Sequence, residues 1–308
     1  MKRSKKTLWI PVAAVLLVAA LCVGLAGCGS SGESASSGTE PAEKSSDTAI
    51  LVVSFGTSYN DTRDKTIGAI ENAIGEAFPQ YEVRRAFTSQ TIIDKLKKRD
   101  NLEIDNVQQA LDRAVADGIQ KLIVQPTHLM NGYEYTDLQK ELKKYEKQMD
   151  IALGAPLLTS DEDFNKLMTA VTDDTKSYDD GKTAVVFMGH GTEADSNGVY
   201  AKLQKLLKDN KFDNYFIGTV EATPTLEDVM KQMKQNGKYE KVVLQPLMVV
   251  AGDHANNDMA GDEDDSWKSI LTKEGYEVEC RLQGLGENEA VRQIYVDHAR
   301  AALDSLTK

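Results

Sequence analysis

The sequence predicts an α/β protein of two similar halves, each built on a mostly parallel sheet, and three observations lead there. From Ala49 onward, short β-branched and aliphatic runs alternate with longer amphipathic stretches, the pattern of strands covered on both faces by crossover helices. The same strand-and-loop words recur in the same order in the second half. Of three cysteines only Cys280 falls inside the folded region, so no disulfide framework replaces an ordinary apolar core.

Residues 1–27 read as a lipoprotein signal peptide. Met1-Lys-Arg-Ser-Lys-Lys6 is basic, the run from Leu8 to Leu25 is apolar, and Leu25-Ala26-Gly27 places small residues before Cys28, as processing and lipidation of that thiol require. Residues 28–48 form a flexible linker of Ser, Gly, Glu, Ala, Pro and Lys with little to bury. The expected location is therefore extracytoplasmic, with a lipid at Cys28 holding the domain to the outer face of the cell membrane or in the periplasm. Losing the four basic residues of the signal takes the formal charge from −12 to −16. That excludes nucleic acid as a natural partner, and leaves membrane attachment to the anchor.

The N-terminal α/β domain is expected over 49–160. It reads as a strand at Ile50–Val53, a helix over 62–77, a strand over 81–86 and a helix over 106–116. A strand at 121–125, a helix over 135–148 and a strand at 151–154 follow. The second domain, 161–308, repeats this plan and ends in an amphipathic helix over 290–303. Gly56-Thr57 aligns with Gly191-Thr192, Tyr81-Glu-Val with Tyr215-Phe-Ile, and Lys121-Leu-Ile-Val-Gln-Pro126 with Lys241-Val-Val-Leu-Gln-Pro246; Gly132 then falls on Gly252, and Gly154 and Gly284 close the fourth strands. Two such halves face each other across a cleft.

In open α/β sheets ligands bind beyond the carboxyl ends of the strands, and the chain's rare residues gather there. It has four histidines. His190 lies in Met188-Gly-His-Gly-Thr192 after a strand over 183–187, and His254 in Ala251-Gly-Asp-His-Ala255 after a strand over 242–250. The repeat sets Glu134, in Asn131-Gly-Tyr-Glu-Tyr135, opposite His254. Two imidazoles and a carboxylate suit Co²⁺, Fe²⁺, Ni²⁺ or Zn²⁺ with positions left open for exchange. His128 has Met248 as its repeat partner and reads as a neighbour of the set, His298 as a surface residue of the last helix, and Asp262-Glu-Asp-Asp265 as a solvated loop.

These segments carry a resemblance. Val53-Ser-Phe-Gly-Thr-Ser-Tyr59, Arg85-Ala-Phe-Thr-Ser89, Gln125-Pro-Thr-His-Leu-Met-Asn-Gly-Tyr-Glu134, Met188-Gly-His-Gly191 and Ala251-Gly-Asp-His254 resemble the anaerobic sirohydrochlorin cobaltochelatases, of the class II chelatases, across 49–306. The resemblance implies two Rossmann-like domains with a tetrapyrrole between them, and insertion of Co²⁺ or Fe²⁺ with release of two protons, without an organic cofactor. It implies His190, Glu134 and His254 as catalytic residues and metal ligands, His190 being the leading proton acceptor. A polycarboxylate ring also needs donors: Ser54, Thr57 and Ser58 after the first strand, and Arg85, Thr88 and Ser89 after the second, are the expected substrate contacts. The lipid anchor departs from the family pattern, so a carrier of haem, another tetrapyrrole or metal for uptake stands as the alternative. An oligomer is compatible with either reading.

Overall fold

The computed structural model describes residues 44–306; the expected signal peptide, Cys28 and residues 29–43 of the linker lie outside the described residues. Two all-parallel four-stranded sheets organise the chain. The first contains β1 (Thr48–Ser54), β2 (Glu82–Phe87), β3 (Lys121–Pro126) and β4 (Asp150–Leu153) in the order β2-β1-β3-β4. The second contains β5 (Thr183–Gly189), β6 (Tyr215–Thr219), β7 (Lys241–Pro246) and β8 (Glu277–Cys280) in the order β6-β5-β7-β8.

The halves match in register as well as order. Thr48 pairs with Lys121 and Thr183 with Lys241, so Gln125-Pro126 and Gln245-Pro246 occupy the same place in each sheet. Gly56 and Gly191, each two residues beyond the central strand, both take positive φ, +100° and +87°. The fourth-strand glycines do not correspond. Leu153 and Cys280 are the equivalent last paired residues, which puts Gly154 directly after β4 but Gly284 four positions past β8. The strand expected to reach Val250 stops at Pro246, where proline withholds the N–H that a ladder needs.

Between β1 and β2 run α1 (Asn60–Arg63), a π-helical turn Asp64–Gly68 and α2 (Ala69–Ala77). Two helices, α3 (Gln90–Asp100) and α4 (Val107–Ala116), lead to β3, and α5 (Tyr133–Leu142) leads to β4. The last is shorter than the expected 135–148: the chain goes on in turns over 143–148, with Tyr145 and Met149 still buried in the same cluster as Leu138 and Leu142 and the Tyr145 hydroxyl donating to Asp112 at 2.6 Å. After α6 (Asp161–Asp174), the second half places α7 (Gly198–Asp209), α8 (Leu226–Asn236) and α9 (Trp267–Lys273) between its strands and ends in α10 (Glu289–Leu306). Asn106, Ser160 and Thr225 start α4, α6 and α8 with reciprocal capping boxes, each satisfying two otherwise orphaned donors.

β1 and β5 are buried along their whole length, as central strands of parallel sheets must be. Period-2 alternation divides their side chains between two layers. Ala49, Leu51 and Val53 face one cluster with α4 and α5, and Ala184, Val186 and Met188 face another with α8 and α9. Ile50 and Val52 share with Val185 and Phe187 a central core filled by α2, α6, α7 and α10. The C-terminal helix, expected with the second half, packs against α2, β3 and β4 of the first as well as α6. His298 fastens it there and is not a surface residue: its ring nitrogens meet the Ala155 carbonyl at 3.1 Å and the Asp163 carboxylate at 3.0 Å. Burial pushes the Asp163 carboxyl up, but the Ser160 N–H and hydroxyl, with His298, outweigh it and hold the group below its ordinary range.

Candidate metal and macrocycle site

The loops after β1, β3, β5, β6 and β7 open on one cavity of about 920 Å³, the upper end of the range for small-molecule sites. β5 delivers His190 one residue past its end. There the Tyr200 hydroxyl accepts the Gly191 N–H at 3.2 Å, and the positive φ of Gly191 turns the chain away. The parallel register then continues beyond both strands: after Gly189 pairs with Thr219, Val220 N–H bonds to the Gly189 carbonyl (3.0 Å) and Glu221 N–H to the His190 carbonyl (2.9 Å). This ladder sets the Glu221 carboxylate beside the His190 ring, 3.7 Å from Nδ1. His254 arrives from the other flank after β7, its ring centroid 4.7 Å from that of His190 and edge-on to it.

One ligand atom each from His190, Glu221 and His254 lie within 4.8 Å of one another, the only such group of metal-binding side chains among the described residues. Both imidazoles are oriented by acceptors on Nδ1, the Gly191 carbonyl for His190 at 2.8 Å and the Asp258 carboxylate for His254 at 2.8 Å. A ring that donates from Nδ1 leaves its Nε2 lone pair for a metal, and such outer partners fix tautomer and aim. None of the three residues is buried, so an ion held there stays open to exchange.

Glu134 is not the third member of this group. Its carboxylate lies 3.2 Å from Nε2 of His128, because the first turn of α5 carries it to the loop after its own sheet's β3. Neither ring nitrogen of His128, though buried, has a hydrogen-bond partner among the described residues. The pair lines the same cavity as the ligand set. Sequence reasoning missed Glu221: aligning Tyr81 with Tyr215 sets Thr223 opposite Ser89, whereas the strand register pairs Ile50 with Val83 and Val185 with Tyr215, which makes Glu221 the counterpart of Ser89 beyond β2.

The remaining expected contacts divide. Ser54, Thr57, Ser58 and Ser89 line the cavity. Three of them are engaged: Ser54 accepts the Thr127 hydroxyl at 2.8 Å, Thr57 the Tyr59 N–H at 3.3 Å, and Ser89 the Ile92 N–H that caps α3 at 3.4 Å. Arg85 and Thr88 do not line it. Strand alternation aims Arg85 at α2, where Glu71 takes its guanidinium through both oxygens, one at 2.7 Å; Thr88 keeps its hydroxyl buried without a partner. The apolar part of the wall includes Leu129, Met130, Met248 and Val249. Phe55 (49% exposed) and Tyr133 (62%), two of the three exposed large hydrophobic side chains among the described residues, stand on it. Tyr59 joins the two rims by donating to Asp253 at 3.4 Å; burial, then that carboxylate, pushes its hydroxyl up.

Residues 48–304 match the family model described as Cobalt chelatase (CbiK). A sirohydrochlorin cobaltochelatase of Salmonella typhimurium is 40% identical over 257 residues, covering 83% of this chain and 96% of the relative. The sirohydrochlorin cobaltochelatase CbiKC of Nitratidesulfovibrio vulgaris is 32% identical over 261 residues, covering 83% and 91%. Among solved structures, the sirohydrochlorin chelatase SirB of Bacillus subtilis subspecies spizizenii in complex with cobalt shares the fold with a TM-score of 0.56 at 14% identity, covering 85% of this chain and 98% of that one.

Proposed function

From the premise that the chain belongs to the cobalt chelatase family, we propose that it inserts Co²⁺ into sirohydrochlorin, releasing two protons. One observation carries this reading: an open His-Glu-His set faces the same cavity as an exposed aromatic and aliphatic wall, so a divalent ion and a flat apolar ring can meet there. Ligands of this type favour ions of the cobalt, iron, nickel and zinc group, and Co²⁺ is the substrate metal that the relatives' activity supports.

The residues divide the work. His190 and His254, with Nδ1 turned to the Gly191 carbonyl and the Asp258 carboxylate, present Nε2 to the ion, and Glu221 offsets part of the metal's charge. As the ion passes to the ring nitrogens the two imidazoles regain free lone pairs, and His190 can then accept one of the departing pyrrole protons. The His128–Glu134 pair, outside the ligand group but on the same wall, takes the other.

The basic, apolar and Leu25-Ala-Gly-Cys28 pattern of the N-terminus supports placing this activity outside the cytoplasmic membrane on a lipid anchor. The functional test mixes the purified full chain with Co²⁺ and sirohydrochlorin under anaerobic conditions and follows the absorbance of the ring. Insertion above the protein-free rate, abolished by His190→Ala, is expected; tight binding of the ring with no insertion would overturn the reading in favour of a carrier.

A further inference from the structure

The residues lining the main cavity include four carboxylates, Glu134, Glu193, Glu221 and Asp253, and a single lysine or arginine, Lys95 of α3. Lys95 makes no hydrogen bond or ion pair among the described residues, whereas its helix neighbours Lys97 and Arg99 are paired with Glu103 and Asp100. Arg85, the other cation expected to meet substrate, is held by Glu71. Lys95 also lines a second, polar cavity of about 530 Å³ that shares Ser58 and Tyr59 with the first. Ser58 is 4% exposed, and its hydroxyl has no partner among the described residues. A free ammonium and a free hydroxyl, the latter on an otherwise buried residue, thus both line the junction of the two cavities.

We propose that Lys95 and Ser58 together receive one ring-edge carboxylate of the macrocycle, and that this contact fixes how the ring is rotated over the His-Glu-His set. The inference rests on the chelatase reading above. A polycarboxylate entering a cavity with four acidic groups is repelled in most rotations. Its one favourable pairing with an unpaired cation lies at Lys95, so the charge pattern selects an orientation by repulsion as much as by attraction. The smaller cavity, which Asn60, Asp61, Thr62 and Arg99 also line, gives the carboxylate arm a place outside the apolar wall; Arg99 is held there by Asp100 and Asn60, which leaves Lys95 as its unpaired cation.

The test measures insertion kinetics for Lys95→Ala, Lys95→Arg, Lys95→Glu and Ser58→Ala, with Lys98→Ala, on the same helix but outside both cavities, as control. Fluorescence quenching of metal-free sirohydrochlorin gives Kd independently of turnover. For Lys95→Ala, KM and Kd should both rise roughly threefold to fivefold at low ionic strength, the size of an exposed charge pair. The rise should vanish at about 0.5 M salt, with kcat and the melting temperature unchanged. Lys95→Arg should restore wild-type values and Lys95→Glu should exceed the alanine effect. If the wild type binds and turns over normally while Lys95→Ala leaves KM and Kd where they were, the inference is wrong and the functional reading stands. A wild type that neither binds nor metallates sirohydrochlorin removes both.

Discussion

Substituting alanine for Gly191 tests whether one backbone turn holds the ligand set together. Gly191 sits at φ +87°, and a Cβ there would lie 2.8 Å from both Cβ and N of Ala222 and 3.0 Å from Cβ of Thr219. The left-handed backbone costs a residue with a side chain about 1–2 kcal/mol, and forcing apart close-packed atoms adds about 1–3 kcal/mol. Together these predict a loss of about 2–5 kcal/mol and a melting temperature lower by about 5–15 °C. The atoms that must yield belong to the segment carrying Glu221, so separation draws that carboxylate away from His190 and His254. Cobalt affinity should fall about 10–100-fold, as when an orienting partner of a ligand is lost. Thermal melts without metal and calorimetric Co²⁺ titrations measure the two effects separately. Gly118, at φ +78°, supplies the control, because a Cβ added there would meet nothing within 4 Å: Gly118→Ala should show the backbone cost alone and bind cobalt normally. A Gly191→Ala protein that melts within about 2 °C of wild type and binds Co²⁺ with unchanged Kd would disprove the link between this turn and the ligand set.

Glu221→Gln should weaken Co²⁺ binding at least about tenfold, while Glu134→Gln keeps cobalt affinity within about twofold and lowers kcat, as expected of a proton acceptor; titration and steady-state kinetics on the two variants decide between the carboxylates. Acid stability should depend on Asp163. Its folded pKa lies below the ordinary carboxyl value, so its contribution is complete above that value, about 3.9, and is lost as pH falls through the folded pKa. In urea unfolding between about pH 5 and 2, Asp163→Asn should therefore start less stable and lose stability less steeply than wild type. Metabolic labelling with a radioactive fatty acid should mark the full chain and fail to mark Cys28→Ser.

Much of this architecture was legible because a parallel sheet writes itself plainly: strands such as Ile50–Val53 are apolar on both faces, and Pro126 and Pro246 mark equivalent strand ends. The site was half legible for a related reason. His190 and His254 follow strand ends directly, and the repeat located the loops that matter. Glu221 escaped because aligning Tyr81 with Tyr215 left the second strands two residues out of register, so that the repeat pointed from Ser89 to Thr223. Arg85 was misplaced because position in sequence near a strand end does not say which face a side chain takes, and here that face meets Glu71. The packing of α10 and the burial of His298 depend on contacts with residues more than a hundred positions away, to which local periodicity is blind.

Anomalous diffraction at the cobalt edge from crystals of the Co²⁺-loaded protein would locate the ion without reference to any substrate. One dominant peak is expected in the cleft, bonded at about 2.0–2.2 Å to His190, His254 and Glu221. A peak seated instead between His128 and Glu134, with the other three side chains unligated, would show that the metal is held by a different set.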